Sequence, residues 1–388
     1  MNPIEDFERS EQALFRMADA KRIPLNGSIE VTPLCTMDCD MCYVRLSREE
    51  MEARGRLRTA EEWLSVAQEM RDAGVLFLLL TGGEPLLYPG FRELYLGLRK
   101  MGFILMLNTN GTLLDEEWAD FFAQNPPRRV NVTLYGASDK AYRELCHLPG
   151  GYARTVRAIE LLRQRGVHVK LSYTMTVKNA EDLSAFLDYC KERDLVYGID
   201  PRIMPATRER SRGFDFSSRL PAEEAAQTAH EIHRRYYPER EDFLAYCARQ
   251  IAEVDARARF AEEHPEARKP ERNTCKAGRC SFTLNWQGHM RPCVILRSPE
   301  ADVFALGFAA AWRQIQDGME ALLIHADCAV CPRRGLCDIC PASALYETGR
   351  QDGKPDYACR YTLELERLMR EELAAADGEC AQEDSPGL

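Results

Sequence analysis

Cys35-Thr-Met-Asp-Cys39-Asp-Met-Cys42 brings three thiols into one short loop. At spacings of four and three, the loop can wrap all three thiolates around one metal centre. A structural zinc ion takes four closed ligands, yet the next Cys and the first His are Cys146 and His147, far along the chain. Three protein ligands leave a coordination position open. A 4Fe-4S cluster normally takes four cysteines, so a cluster held by this trio would have one iron free to bind something else.

A second set lies in the last third of the chain: Cys275-x4-Cys280-x12-Cys293, then Cys328-x2-Cys331-x5-Cys337-x2-Cys340, then Cys359. Eight thiolates make two four-ligand sites, and on spacing alone two zinc sites and two iron-sulfur clusters are both open. The chain holds 15 cysteines in all, an odd number, with an acidic N-terminus in place of an export signal. In a reducing compartment such clusters mean metal rather than disulfides. Of the other four, Cys190 and Cys247 fall in helical patterns as small core residues, Cys146 follows the fourth strand, and Cys380 lies in the tail.

The elements that must position these groups are legible from residue 28 to about 203. Six apolar, β-rich runs read as strands: Ser28 to Leu34, Val75 to Thr81, Phe103 to Asn108, Arg129 to Tyr135, Val167 to Thr176 and Leu195 to Ile203. Amphipathic helices alternate with them, the firmest opening at Thr59 with Glu62 as a capping box; the others fall at about 90 to 100, 115 to 123, 151 to 165 and 179 to 193. The pattern predicts an α/β fold, a partial (β/α)6 TIM-like barrel with a C-terminal Cys-rich domain. In such barrels chemistry collects on the loops after the strands. The first cysteine trio and the stretch Thr81-Gly82-Gly83-Glu84-Pro85 both occupy such loops, and so face one mouth.

The expected divisions are a 1–27 N-terminal extension, a 28–205 barrel, a 206–272 helical bridge with helices over Pro221 to Tyr236 and Asp242 to Phe260, a 273–362 Cys-rich domain held by metal more than by an apolar core, and a 363–388 C-terminal helix and disordered acidic tail from Asp377. Lys plus Arg number 51 against 61 Asp plus Glu, a formal charge of −10, which offers no electrostatic footprint for nucleic acid. The longest strongly apolar run, Val75 to Leu80, is six residues, far short of the roughly 20 that span a bilayer. The expectation is a cytoplasmic protein with no membrane span.

Cys35-x3-Cys39-x2-Cys42, followed by the aromatic Tyr43, together with Gly82, Gly83 and Glu84 after the next strand, resembles the signature of the radical S-adenosylmethionine (SAM) superfamily. The resemblance implies a 4Fe-4S cluster whose free iron chelates SAM and whose electron cleaves it to methionine and a 5′-deoxyadenosyl radical. It implies SAM contacts at Tyr43, Gly82, Gly83 and Glu84, with Glu84 paired to the methionyl amine, Arg143 and Thr133 toward the methionyl carboxylate, and Ser172 toward the ribose. An external electron donor of the flavodoxin or ferredoxin type is a further implied partner.

Cys275, Gly288 and Cys293 resemble the first half of a SPASM domain, an extension of radical SAM enzymes that carries two auxiliary 4Fe-4S clusters. By position, Cys275, Cys280, Cys293 and Cys340 would hold one cluster and Cys328, Cys331, Cys337 and Cys359 the other. The sequence departs from the family in having only Asp338 and Ile339 between Cys337 and Cys340.

Such relatives mostly modify ribosomally made peptides, so the implied function is hydrogen abstraction from a peptide and an oxidative modification such as a thioether or carbon-carbon crosslink. The alternatives are a radical SAM enzyme acting on a small molecule in cofactor or haem-related biosynthesis, and a zinc-binding scaffold. Val294 follows Cys293, where sulfatase-maturing relatives carry an acid, which argues against that branch. The 27 residues before the first strand are too few for a leader-binding domain. A leader would therefore meet a separate protein or the bridge arginines Arg208, Arg210, Arg212, Arg234 and Arg235. Asp200 and Arg202, on the sixth expected strand, are the candidates to position substrate or act as a base.

Overall fold

Six parallel strands alternate with helices in the computed structural model: β1 (Asn26–Glu30), β2 (Phe77–Thr81), β3 (Ile104–Thr109), β4 (Arg129–Thr133), β5 (Val169–Thr174) and β6 (Val196–Asp200). They are hydrogen-bonded in that order. The structure describes residues 3–204, 216–237, 239–273, 275–337 and 340–383. Helices Ala60–Asp72, Phe91–Lys100, Glu116–Gln124, Gly151–Gln164 and Leu183–Glu192 make the crossovers, and Thr59 and Glu62 close the expected capping box. Side chains alternate across a strand. Thus Leu105, Leu107, Val130, Val132 and Leu171 are fully or nearly fully buried, while Asn108, Asn131, Thr133, Lys170 and Ser172 form the other, half-buried face.

Five more strands follow: β7 (Glu271–Arg272), β8 (Ser281–Leu284), β9 (His289–Arg291), β10 (Ala301–Asp302) and β11 (Leu323–Ile324). β8 runs parallel to β1, with Asn26 beside Ser281 and Ile29 beside Leu284, and β9 and β10 continue the sheet antiparallel. One nine-stranded sheet results, in the order β10-β9-β8-β1-β2-β3-β4-β5-β6, while β7 and β11 pair with each other.

The chain packs as two units. The first is Met1–Asp200, Ala206–Ser218 and Thr274–Ala321; the second is Pro201–Pro205, Arg219–Asn273 and Leu322–Leu388. The cysteine-rich segment expected over 273–362 is therefore divided, because residues 281–302 complete the barrel sheet by backbone pairing. The 1–27 extension carries a helix, Pro3–Lys21, and belongs to the first unit. There Leu14, Phe15 and Ala18 pack with Leu25, Phe77 and Cys280.

The second unit is built on helices Ala222–Tyr236, Arg240–Glu263 and Asp356–Glu383. Ala222, Ala225, Ala226 and Ala229 recur at helical spacing and are buried, as are Leu365 and Met369 of the long C-terminal helix. That helix runs through Glu383, past Asp377, where disorder was expected; the alanines at 374–376 favour its continuation. Arg208, Arg210 and Arg212 lie outside the described residues. No helix among the described residues is long and apolar enough to cross a membrane.

Candidate active site

At the mouth of the partial barrel, the chain leaving β1 and the chain leaving β2 lie against each other. Gly83 N donates to Thr32 O at 2.7 Å and Glu84 N to Leu34 O at 2.8 Å. A Cβ on Gly82, whose φ is +139°, would stand 2.3 Å from Thr32 O, and one on Gly83 would stand 2.3 Å from Leu34 O. Both neighbours are backbone and cannot swing away, so only glycine permits this approach. The next residue after Leu34 is Cys35. The glycines thus fix where the first thiol begins.

Glu84 is fully buried. Its carboxylate accepts from Thr109 Oγ1 (2.8 and 2.9 Å), Asn110 N (2.9 Å) and Leu86 N (3.1 Å). Burial pushes the carboxyl up to about 7 against those donors, which pull it down. Three donors leave one lone pair's capacity on the carboxylate for anything further. Glu84 therefore ties β2 to β3 first, a role its expected pairing with an amine did not foresee. Asn110 returns the link to the thiols, its Nδ2 reaching Cys35 Sγ at 3.5 Å and Thr36 Oγ1 at 3.0 Å.

The cysteine loop is fastened on its other side to the segment after β4. Asp38 N donates to Cys146 O and Asp40 N to Leu145 O, both at 3.0 Å. The Asp40 carboxylate meets His147 Nε2 at 2.8 Å and Lys178 Nζ at 2.6 Å. Partial burial opposes ionisation of Asp40, but Lys178 and His147 together hold its carboxyl below the usual range.

Cys35 Sγ accepts from Met37 N at 3.4 Å and Cys42 Sγ from Arg45 N at 3.3 Å. Burial, followed by the Glu84 charge, pushes the Cys35 thiol well up. Cys39 is pushed up by a contact with the Cys146 thiol and then by burial. Such thiols ionise only beside a strong cation. Backbone donors aimed at sulfur, with Cys39 buried and Cys35 and Cys42 half-buried, fit a metal centre, iron-sulfur ligation included. Cys146, expected in a loop, is fully buried against the cluster loop.

Thr133 and Ser172 are register partners on the half-buried face, with Gly198 next to Ser172. Tyr43 is half-buried. Arg143 is exposed and paired with Asp139 at 2.7 Å. Asp200 and Arg202 are not brought together as a pair on one strand: β6 ends at Asp200, and Arg202 belongs to the second unit, its guanidinium over the Tyr361 ring at 4.8 Å.

The second cysteine set is divided in the same way. Cys275, Cys280 and Cys293 belong to the first unit and Cys340 to the second. Cys275 Sγ accepts from Ala277 N at 3.5 Å and Cys293 Sγ from Leu296 N at 3.3 Å, while Cys280 is buried in an apolar cluster. In the second unit, Cys328, Cys331, Cys337 and Cys359 border one cavity of about 160 Å³, together with Arg333, Arg334 and Lys354. Burial pushes Cys328 up to about 11 and raises Cys337 and Cys359. The thiols border a space rather than a point. Among the described residues no three His, Cys, Asp or Glu side chains gather as ligands of a single ion do.

Sequence reasoning missed Thr109, Asn110, the Asp40 clamp and the shared hydrogen bond of Thr36 and Thr112 at 2.7 Å. The signal was present for the first two: Thr-Asn-Gly-Thr ends β3 at the same mouth, where polar residues have positional meaning.

Residues 29–191 match the model of the Radical SAM superfamily. An AdoMet-dependent heme synthase of Methanosarcina barkeri is 24% identical over 331 residues, which cover 82% of this chain and 92% of that protein. The sporulation killing factor maturation protein SkfB of Bacillus subtilis is 24% identical over 43% of this chain, and the match spans only 40% of SkfB. Among solved structures, SuiB of Streptococcus suis bound to precursor peptide SuiA shares the fold at a TM-score of 0.65 and 16% identity, over 92% of this chain and 81% of SuiB.

Proposed function

The chain is a radical SAM enzyme, its radical SAM domain at residues 29–191, and from this premise we propose that it abstracts a carbon-bound hydrogen from a ribosomally made peptide and installs an oxidative crosslink. Cys35, Cys39 and Cys42 hold the SAM-binding 4Fe-4S cluster in this reading, and the second cysteine set holds two auxiliary clusters, one of them on Cys328, Cys331, Cys337 and Cys359. When bound, the first cluster and SAM supply a one-electron cleavage that yields a 5′-deoxyadenosyl radical.

The chain's own residues do the rest. Gly82 and Gly83 set the cysteine loop against the mouth, Glu84 and Asn110 lock β2, β3 and Cys35 into one frame, and Thr133 and Ser172 present hydroxyls to a ligand inside. Were one hydrogen atom taken from the substrate by the loaded cofactor, closing the new bond would release one proton and one electron. An electron acceptor is therefore required.

The observation that carries the reading is the four-thiol cavity of the second unit, which bounds a volume suited to a cluster and gives an oxidation a place to leave its electron. Peptide as substrate draws support from SkfB, a maturation protein by name, and from the shared fold of peptide-bound SuiB. A second reading, a tetrapyrrole substrate in haem-related biosynthesis, is favoured by the heme synthase, which aligns along most of both chains. The same assay tests both. Reconstituted enzyme, SAM and dithionite are incubated with a short peptide encoded beside the gene or with iron coproporphyrin, and substrate-dependent 5′-deoxyadenosine is followed with the product mass. A crosslinked peptide, lighter by two hydrogens, supports the first reading; turnover of the porphyrin alone replaces it with the second.

A further inference from the structure

Inside the partial barrel, two cations lie on neighbouring strands. Arg129 opens β4, beside Met106 of β3; Lys170 lies on β5, beside Asn131 of β4. Both are half-buried on the polar face of the sheet. Neither side chain makes an ion pair or hydrogen bond among the described residues, and Arg129 Nε is a buried donor with no acceptor there. Burial and then the charge of Arg129 lower Lys170, and no acid counters them. The acid acting on Arg129, Glu11, is already gripped by both guanidinium nitrogens of Arg128, at 2.8 and 2.5 Å. Lys170 does not coil back on the sheet either; it runs past Gly198, where a Cβ would stand 3.3 Å from its Nζ.

Unpaired, partly buried cations cost stability. A fold that keeps two on adjoining strands, on one half-buried face with Asn131, whose Oδ1 is likewise buried and without a donor among the described residues, is holding a place for an anion. Depth decides which anion. At about 3.3 Å per strand residue, Arg129 lies about 13 Å below Thr133, on the side away from the mouth, while Lys170, rooted about 7 Å below Ser172, carries its Nζ up to Gly198, the register partner of Ser172. SAM's methionyl group belongs at the mouth, beside the open cluster site. A group that reaches further down comes from the other reactant.

The geometry points to Arg129 and Lys170 as the subsite for a substrate carboxylate, whose planar oxygens suit the guanidinium fork, with the carbon to be attacked held above it toward the mouth. This rests on the reading that the barrel interior receives the substrate. The carboxylate is an acidic side chain of a peptide or an acid arm of a tetrapyrrole, and the chemistry of recognition is the same.

Thermal unfolding of the cluster-loaded protein with SAM bound tests it, using glutarate against its neutral diamide. Glutarate should raise the melting temperature by about 2–4 °C and the diamide should not. Lys170→Met should abolish that rise and, by removing an unpaired cation, melt at or above wild type without ligand, whereas Arg129→Lys should keep part of the response. No response to glutarate, an equal response in Lys170→Met, or a Lys170→Met protein that melts lower without ligand would overturn the assignment. An acetylated Gly-Glu-Gly amide and coproporphyrin, run in place of glutarate on both proteins, separate a peptide side chain from a tetrapyrrole arm as the source. The melt needs no turnover, so it can fail while SAM cleavage stands, and the reverse.

Discussion

Around Cys35, Cys39 and Cys42 the chain is held by main-chain contacts: Gly83 to Thr32, Glu84 to Leu34, Asp38 to Cys146 and Asp40 to Leu145. Around Cys328, Cys331 and Cys337 the main-chain hydrogen bonds are local turns, such as Cys328 N to His325 O and Cys337 N to Arg333 O, and long side chains tie the segment to other elements. Arg257 donates to the carbonyls of Ala329 (3.2 Å) and Cys331 (3.3 Å), Arg333 meets Glu366 at 2.5 Å, and Arg334 meets Glu271 at 2.6 Å. Main-chain hydrogen bonds within a sheet's loops have few ways to rearrange, whereas partly exposed ion pairs contribute about 0–1 kcal/mol each. The first loop therefore keeps its shape whether or not metal is bound. In the proposed reading, the second relies on a bound cluster for shape as well as for chemistry.

Replacing Cys35, Cys39 and Cys42 together with Ala gives the largest effect on activity. SAM cleavage, followed as 5′-deoxyadenosine, should vanish, while the thermal melt stays near wild type and about eight irons per chain remain from two auxiliary clusters. A large fall in melting temperature would break the contrast. The opposite pattern is expected for Cys328, Cys331, Cys337 and Cys359 replaced together: a loss of roughly 3 kcal/mol or more in the second unit, about 10 °C in the melt, with SAM cleavage retained.

Two glycines sharpen the same contrast. A Cβ on Gly83 meets the Leu34 carbonyl at 2.3 Å, whereas one on Gly335 meets the Glu253 carboxylate at 2.5 Å. Gly83→Ala should cost about 2–4 kcal/mol and reduce SAM cleavage by about 100-fold, since Cys35 moves with Leu34.

Next in size is the pH response of the first site. Glu84 titrates near 7 in the fold against an ordinary 4.5, through burial. Its folded value is raised, so the protonated form is favoured in the native state. The stability from this group is full below about pH 4.5 and is lost as pH rises to about 7, up to about 3 kcal/mol. Glu84→Gln should flatten the stability profile over that window in urea titrations. An unchanged slope would show that the carboxyl is not buried as described. The smallest effect is Gly335→Ala, within about 0.5 kcal/mol by chemical denaturation, because the Glu253 side chain can swing aside.

The six barrel strands were legible because alternating apolar residues and helix caps carry them, although the expected ends ran too long at Leu34 and Ile203. Thr32 and Leu34 leave the sheet to meet Gly83 and Glu84, a tertiary contact that no local pattern announces. Strands β8, β9 and β10 are two to four residues long, too short for a period to register, and their pairing with β1 comes from distant residues. Both cysteine sets were visible from spacing. The grouping of Cys328, Cys331, Cys337 and Cys359 around one cavity agrees with the resemblance, but the division of Cys275, Cys280 and Cys293 from Cys340 follows packing units that spacing cannot reveal. Arg129 and Lys170 went unremarked because a single cation in a strand carries no signal until its neighbours are known.

The most direct test of the account is anaerobic reconstitution of the wild-type chain with iron and sulfide, followed by an iron count and an assay for 5′-deoxyadenosine with SAM and dithionite. About twelve irons per chain, three clusters of four, are expected together with SAM cleavage; a reconstituted chain that holds iron yet forms no 5′-deoxyadenosine would contradict radical SAM chemistry at Cys35, Cys39 and Cys42.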